Sequence, residues 1–166
     1  MHNLPNIAHA CTDAQTVLID GRSGSGKTTF AAALAQLTGH EVIHLDDFYP
    51  GWLGLNEAMV MVARDVLHPT HPGYRRWDWE TNMPGEWVDL DPARPRIVEG
   101  VGAVTGASIR AAQKRGRVVS IRLHLDAETR RQRALARDPG FADWWDVWAA
   151  QEEARGEVPS VDYELG

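Results

Sequence analysis

The run Gly21-Arg22-Ser23-Gly24-Ser25-Gly26-Lys27-Thr28 fits the spacing G-x-x-x-x-G-K-[ST] of a loop built to hold phosphate groups. Glycines let such a loop wrap so that successive backbone N–H groups point inward, and a following helix adds the partial positive charge of its N-terminus. In that arrangement Lys27 reaches the β- and γ-phosphates of a nucleoside triphosphate, and the Thr28 hydroxyl sits on Mg²⁺. Gly21, Ser23, Gly24, Ser25, Gly26, Lys27, Thr28 and the adjoining Thr29 are the candidate nucleotide-binding residues. Of the 17 basic residues only Lys27 and Lys114 are lysines; the other fifteen are arginines. A lysine kept in this loop suits a compact ammonium slipping between phosphate oxygens, which a planar guanidinium does poorly.

Three further groups could act on a bound phosphate. Asp46 and Asp47 follow a short apolar run, Glu99 ends another, and Arg130, Arg133 and Arg137 fall at i, i+3 and i+7. On a helix that spacing makes one cationic stripe. Its mutual repulsion, about 0.2–0.5 kcal/mol per neighbouring pair, turns to attraction when an anion arrives. Asp46 and Asp47 could instead simply end a strand, since Asp favours turns.

The elements that must position these groups can be read from periodicity. Residues 16–20 are a short apolar strand, 28–38 an alanine-rich helix with Phe30, Leu34 and Leu37 on one face, and Gly39 its cap. A second strand covers 41–45. A helix from Asn56 to Leu67 follows, with Met59, Val62, Ala63 and Val66 inward and Pro69 stopping it. Residues 69–95 hold five of the nine prolines and three of the seven tryptophans, and read as a loop or hairpin excursion. Strands at 96–100 and 117–125 flank a helix at about 105–115. Asp126 caps a further helix to about Asp138, Phe141 to Ala154 is helical, and 161–165 is a short last strand. Trp144, Trp145 and Trp148 read as core or cover, and residues 1–15 as a loose lead-in. Alternating strands and helices imply a parallel sheet, with ligands at the strands' C-terminal ends. The loop, Asp46-Asp47 and Glu99 all fall at such ends, so the carboxylates should face bound phosphates across one crevice.

At 166 residues with 43% hydrophobic and 24% charged content, the chain reads as one domain, 1–166, with an ordinary core. A net charge of −6 gives no basic field for nucleic acid. No apolar run approaches a membrane span, the first fifteen residues lack a secretory pattern, and the single cysteine, Cys11, cannot form an internal disulfide. A reducing cytoplasm is the expected setting. No N-K-x-D guanine-reading motif occurs.

Gly21 to Thr28, Leu45-Asp46-Asp47-Phe48-Tyr49, Val98-Glu99-Gly100, and Asp126 to Arg130 with Arg133 and Arg137-Asp138 together resemble the uridine kinase-like branch of the P-loop kinases over about residues 16–138. The resemblance implies a three-layer α/β fold with a five-stranded parallel sheet in the order 2-3-1-4-5, using ATP and Mg²⁺. It implies that Asp46 contacts the acceptor hydroxyl beside Tyr49, that Glu99 supports Mg²⁺ with Thr28 and Asp47, and that Arg130, Arg133 and Arg137 hold phosphates from a lid at about 126–140. Lys27, Asp46 and Arg133 would then be catalytic. Which of Asp46 and Asp47 serves the acceptor and which the metal stays open. Arg75, Arg76 and Trp77 fall where the family has its acceptor-binding hairpin, and a hydroxyl-bearing small molecule, nucleoside- or sugar-like, is the expected phosphate acceptor. A nucleoside monophosphate kinase, with Arg75 and Arg76 clasping an acceptor phosphate, and a regulatory nucleotide-binding protein with little turnover are the alternatives.

Overall fold

The computed structural model describes residues 3–166. Strands β1 (Thr16–Asp20), β2 (Glu41–His44), β5 (Arg96–Glu99), β6 (Val118–Leu123) and β7 (Tyr163–Leu165) form one five-stranded sheet. Strands β3 (Gly73–Asp78) and β4 (Met83–Asp89) pair antiparallel as a separate hairpin. The sheet order is β2-β5-β1-β6-β7, with every pairing parallel. Without the hairpin strands this is the order 2-3-1-4-5 expected from the sequence.

Alternation along the buried central strands splits the core in two. Val17 and Ile19 of β1, Ile97 of β5, and Val119 and Ile121 of β6 pack with Phe30, Ala31 and Leu34 of α2 (Lys27–Thr38) and with α1 (Leu4–Cys11). Leu18 and Val98 face the other way, toward α3 (Leu55–Met61), α4 (Gly106–Arg115) and α6 (Trp145–Ala154). Helix α5 (Ala127–Arg137) crosses above the phosphate loop. Period-two side chains on a sheet buried on both faces leave no other solution than helices on each side.

Four local expectations change. Residues 4–11 of the supposed lead-in are helix α1, because Ile7, Ala8 and Cys11 form a short inward stripe against α2; Met1 and His2 lie outside the described residues. Leu37 faces solvent at 57% exposure, since α2 buries only Phe30, Ala31 and Leu34 beyond its first turn. The helix placed at 56–67 starts one residue earlier after Gly54, and Val62–Val66 is a π turn closed by Leu67 N–H on the Val62 carbonyl at 3.0 Å. Its register brings Val66 and Leu67 into the core, with Met59 and Ala63 only partly covered. Helix α6 begins at Trp145, preceded by a 3₁₀ turn over Pro139–Asp143. Trp145 and Trp148 are buried, and Trp144 is 40% exposed.

Among the described residues no helix is long and apolar enough to cross a membrane. Cys11 is fully buried, and burial pushes its thiol up to about 11 against a smaller opposing pull from Arg117. The thiolate is the reactive form. Native protein at pH 8 should therefore resist iodoacetamide for hours and become fully alkylated in denaturant, as read by intact mass. Rapid native labelling would contradict this packing.

Candidate active site

Strand β1 delivers the chain to Asp20, whose carboxylate is 1% exposed and accepts hydrogen bonds from three backbone N–H groups: Gly21 at 2.7 Å, Gly102 at 3.3 Å and Val104 at 2.9 Å. Arg155, just past α6, adds a two-pronged ion pair, 3.0 Å to each carboxylate oxygen, and donates to the Val104 carbonyl. The last turn of α6 continues along the loop. Glu152 is buried and accepts from Ser23 N–H at 2.8 Å, while Glu153 pairs with Arg22 at 2.5 Å. None of these anchors was singled out from the sequence. An ionisable residue ending an apolar strand, as Asp20 does, was the available signal.

The loop itself needs its glycines. Gly24 adopts φ +80°, and a Cβ there would sit 2.2 Å from the Arg130 carbonyl oxygen. Gly26 takes φ 96° to start α2. Lys27 folds over the loop, its ammonium 3.0 Å from the Arg22 carbonyl, and burial holds its pKa down against the opposing pull of Glu99, Asp20, Asp46 and Glu152. Thr28 and Thr29 are exposed at the first turn of α2; Thr28 donates to Glu99 Oε1 at 3.2 Å.

Glu99 is buried at the end of β5 and also accepts from His44 Nδ1 at 2.6 Å, which raises the histidine's pKa. His44 ends the neighbouring β2, and the parallel register sets the two side by side. Beyond it the chain makes a 3₁₀ turn over Leu45–Asp47. The Asp46 carboxyl faces the cavity and is pushed above the usual carboxylate range, first by crowding from protein and then by the charge of Glu99. Lys27, Arg137 and His44 offset part of that shift.

These groups share one cavity of about 600 Å³. Ser23, Gly24, Gly26, Lys27, Thr28 and Glu99 line one end, and Asp46, Asp47, Arg137 and Asp138 also border it. The remaining wall is aromatic. Tyr49 borders it too, but it is buried, with its hydroxyl committed to the Val101 carbonyl at 2.7 Å and its ring packed edge-on against Trp148, so it offers a ligand little beyond packing.

The cationic groups expected around this cavity divide differently. Along α5 the inner face runs Arg130, Ala134, Arg137, so Arg133, about 100° round the helix from Ala134, points to solvent and does not line the cavity. Arg130 is buried, donating to the Leu125 and Ser23 carbonyls at 3.0 and 3.3 Å with its guanidinium 6.0 Å over the Trp145 ring. It ties α5 to the phosphate loop through two of its N–H groups and does not line the cavity. Arg137 alone of the three borders the cavity. Arg75, Arg76 and Trp77 also lie outside it. In a two-stranded ribbon long cationic side chains lie along cross-strand rings. Arg75 accordingly sits 5.7 Å over Trp87, its partner across the hairpin, while Arg76 lies 6.0 Å over Tyr74, two residues back on its own strand. The hairpin enters the site through Trp79, whose indole N–H donates to the Asp46 carbonyl at 2.9 Å.

The donor set suits Mg²⁺. Among the described residues no group of three acidic, His or Cys side chains could hold a metal by itself. A hydroxyl and a buried carboxylate 3.2 Å apart beside a phosphate loop match an ion that takes one or two protein ligands and fills its shell with phosphate oxygens and water.

No family model matches the chain, and no curated protein does. Solved structures do. A possible uridine kinase from Bacillus stearothermophilus aligns over 99% of this chain and 97% of its own, at 17% identity and TM-score 0.59. A candidate fructose transport system kinase from Silicibacter sp. TM1040 aligns over 98% of each chain, at 18% identity and TM-score 0.64. A shikimate kinase from Acinetobacter baumannii, in complex with shikimate, aligns over 96% of this chain and 87% of its own, at 18% identity and TM-score 0.50.

Breaking a buried ion pair by removing one partner costs roughly 3–5 kcal/mol. Arg155→Leu, which strands the Asp20 carboxylate, should lower the unliganded Tm by roughly 6–20 °C for a domain of this size. A shift below 2 °C would show that the pair does not anchor the loop. By its strand order, its phosphate loop and these near full-length alignments, the chain has the P-loop kinase fold.

Proposed function

We propose that the protein is an ATP- and Mg²⁺-dependent small-molecule kinase that transfers the γ-phosphoryl group to a hydroxyl. The observation that carries this reading is the shared cavity, in which a phosphate loop and a strand-end carboxylate, Asp46, open onto the same space.

The roles follow from the geometry. The Lys27 ammonium, held in place by the Arg22 carbonyl, would exchange that contact for phosphate oxygens. Thr28 and Glu99 would hold Mg²⁺, with Asp47 bordering the same space, and the ion supplies charge neutralisation between the β- and γ-phosphates. His44, bonded to Glu99, fixes that carboxylate's orientation. Asp46, with its raised affinity for a proton, would accept the acceptor's hydroxyl proton as the new O–P bond forms. The bond from the γ-phosphorus to the β–γ bridging oxygen breaks, leaving its electron pair on ADP. Arg137 stands on the lid side to meet charge on the transferred group. Such transfer depends on positioning and fixed charge, with little covalent work by the protein.

The location of Arg75 and Arg76, stacked within the hairpin, gives no support to a reading in which they clasp an acceptor phosphate. A cytoplasmic setting belongs to the same proposal and is supported by the single buried thiol.

Two substitutions test it. Lys27→Ala should abolish acceptor-dependent ADP release with the fold retained, because the ammonium serves the ligand. Asp46→Asn should reduce kcat at least tenfold with ATP affinity, measured by calorimetry, within twofold of wild type. An active Lys27→Ala enzyme would sink the kinase reading; loss of ATP binding in Asp46→Asn would move Asp46 to the metal.

A further inference from the structure

The acceptor end of the cavity has a chemical character of its own. Trp52 is its hub, with ring centroids 5.1 Å from Trp79, 4.9 Å from Phe141 and 5.7 Å from Trp144, the last nearly parallel at 5°. Trp79 and Trp144 remain 38% and 40% exposed although they lie in this cluster. Two large rings left open beside a cavity form a surface for a ligand, which sets them apart from the closed packing of Trp145 and Trp148.

Carboxylates interleave with these rings. Trp79 is bonded to the backbone of Asp46, next to Asp47, and Asp138 stands three residues before Phe141 at the end of the lid helix. Among the described residues the side chains of Asp46 and Asp47 have no hydrogen-bond or ion-pair partner, and Asp138 uses one oxygen to cap the 3₁₀ turn at Gly140 N–H. Among the described residues the cavity's lining cations are Lys27, at the phosphate loop, and Arg137. A bound Mg²⁺–nucleotide brings further negative charge, Arg75, Arg76, Arg130 and Arg133 lie outside the cavity, and Arg137 stands alone against Asp46, Asp47 and Asp138. An acceptor carrying a carboxylate or a phosphate would meet repulsion at this end. A cation would find both an aromatic face and counter-charges, the combination that recognises ammonium groups.

Resting on the kinase reading above, we infer that the phosphate acceptor is a hydroxyl compound that also carries a positive charge, an amino-alcohol or amino-sugar. Its ammonium is received by the Trp52–Trp79–Trp144 wall and by Asp47 and Asp138, leaving Asp46 for the hydroxyl.

The test compares acceptors matched in shape and differing in charge, with wild-type protein, Mg²⁺ and ATP: glucosamine against glucose, and choline against 3,3-dimethylbutan-1-ol, with uridine and shikimate as neutral-ring and anionic references. The amine member of at least one pair should show a kcat/KM for ADP release at least tenfold above its neutral partner. It should also exceed uridine and shikimate. Trp144→Leu should lower kcat/KM for that amine at least fivefold with KM for ATP unchanged, and Trp144→Phe should restore most of it. Equal use of both members of each pair, or preference for uridine or shikimate, overturns the inference while leaving the kinase reading intact. If none of the compounds elicits ADP release, the kinase reading fails on this panel, and the subsite is judged by binding alone. Titration of glucosamine and choline, in the presence of Mg²⁺ and a non-hydrolysable ATP analogue, then reads tryptophan fluorescence. Saturable quenching by an amine and not by its neutral partner sustains the cation subsite, and no difference within either pair overturns it.

Discussion

A carboxylate with no water around it must find its hydrogen bonds in protein, and the site of this molecule is organised around one that does. Asp20 gathers the first N–H of the phosphate loop, two N–H groups from the segment after β5, and the guanidinium of Arg155. Each comes from a different stretch of chain. With the carboxylate fixed, the loop's starting angle, the segment beyond Glu99 and the last turn of α6 are fixed together. The cost of burying the charge is offset only while the whole set stays in place, which makes the anchor cooperative. Glu152 and Glu153 extend the same clamp along the loop.

The two ends of the cavity therefore have different origins in the chain. The phosphate-loop end is backbone and short side chains at the ends of adjacent parallel strands, and its geometry follows from the register of β1, β5 and β2. The aromatic end is made from the hairpin, the turn after Phe48 and the segment following α5, contributing Trp79, Trp52, Phe141 and Trp144. Such excursions can change their side chains without disturbing the sheet, and on the proposed kinase reading this is where a particular acceptor would be selected.

How much was legible in the sequence divides along the same line. The sheet strands, the loop, the Asp126 cap and the meeting of Asp46, Asp47 and Glu99 at one crevice are local or topological facts, set by apolar periodicity and by the rule that ligands gather at strand ends. The arginines were harder. Spacing placed Arg130, Arg133 and Arg137 on one stripe, but which side of α5 faces inward is decided by Ala134, the small residue that lets the helix approach the core. Arg130 is drawn down onto the Ser23 carbonyl and Trp145, and Arg133 is left outside. Arg75 is captured by its cross-strand ring, Trp87, a pairing that needs the hairpin register before it can be seen, and Arg76 by Tyr74 two residues earlier on the same strand. The anchors Asp20, Glu152 and Arg155 join residues more than 125 positions apart, and no local pattern announces that pairing.

The central claim is that one cavity brings the γ-phosphoryl group and an acceptor hydroxyl together. It is tested most directly by following the phosphoryl group itself. With ATP carrying ¹⁸O in its nonbridging γ-oxygens, mass spectrometry of the acceptor should show a phosphorylated product that keeps all of that label and is joined through the acceptor's own unlabelled oxygen. Label recovered only in inorganic phosphate, with the acceptor unmodified, would contradict the account.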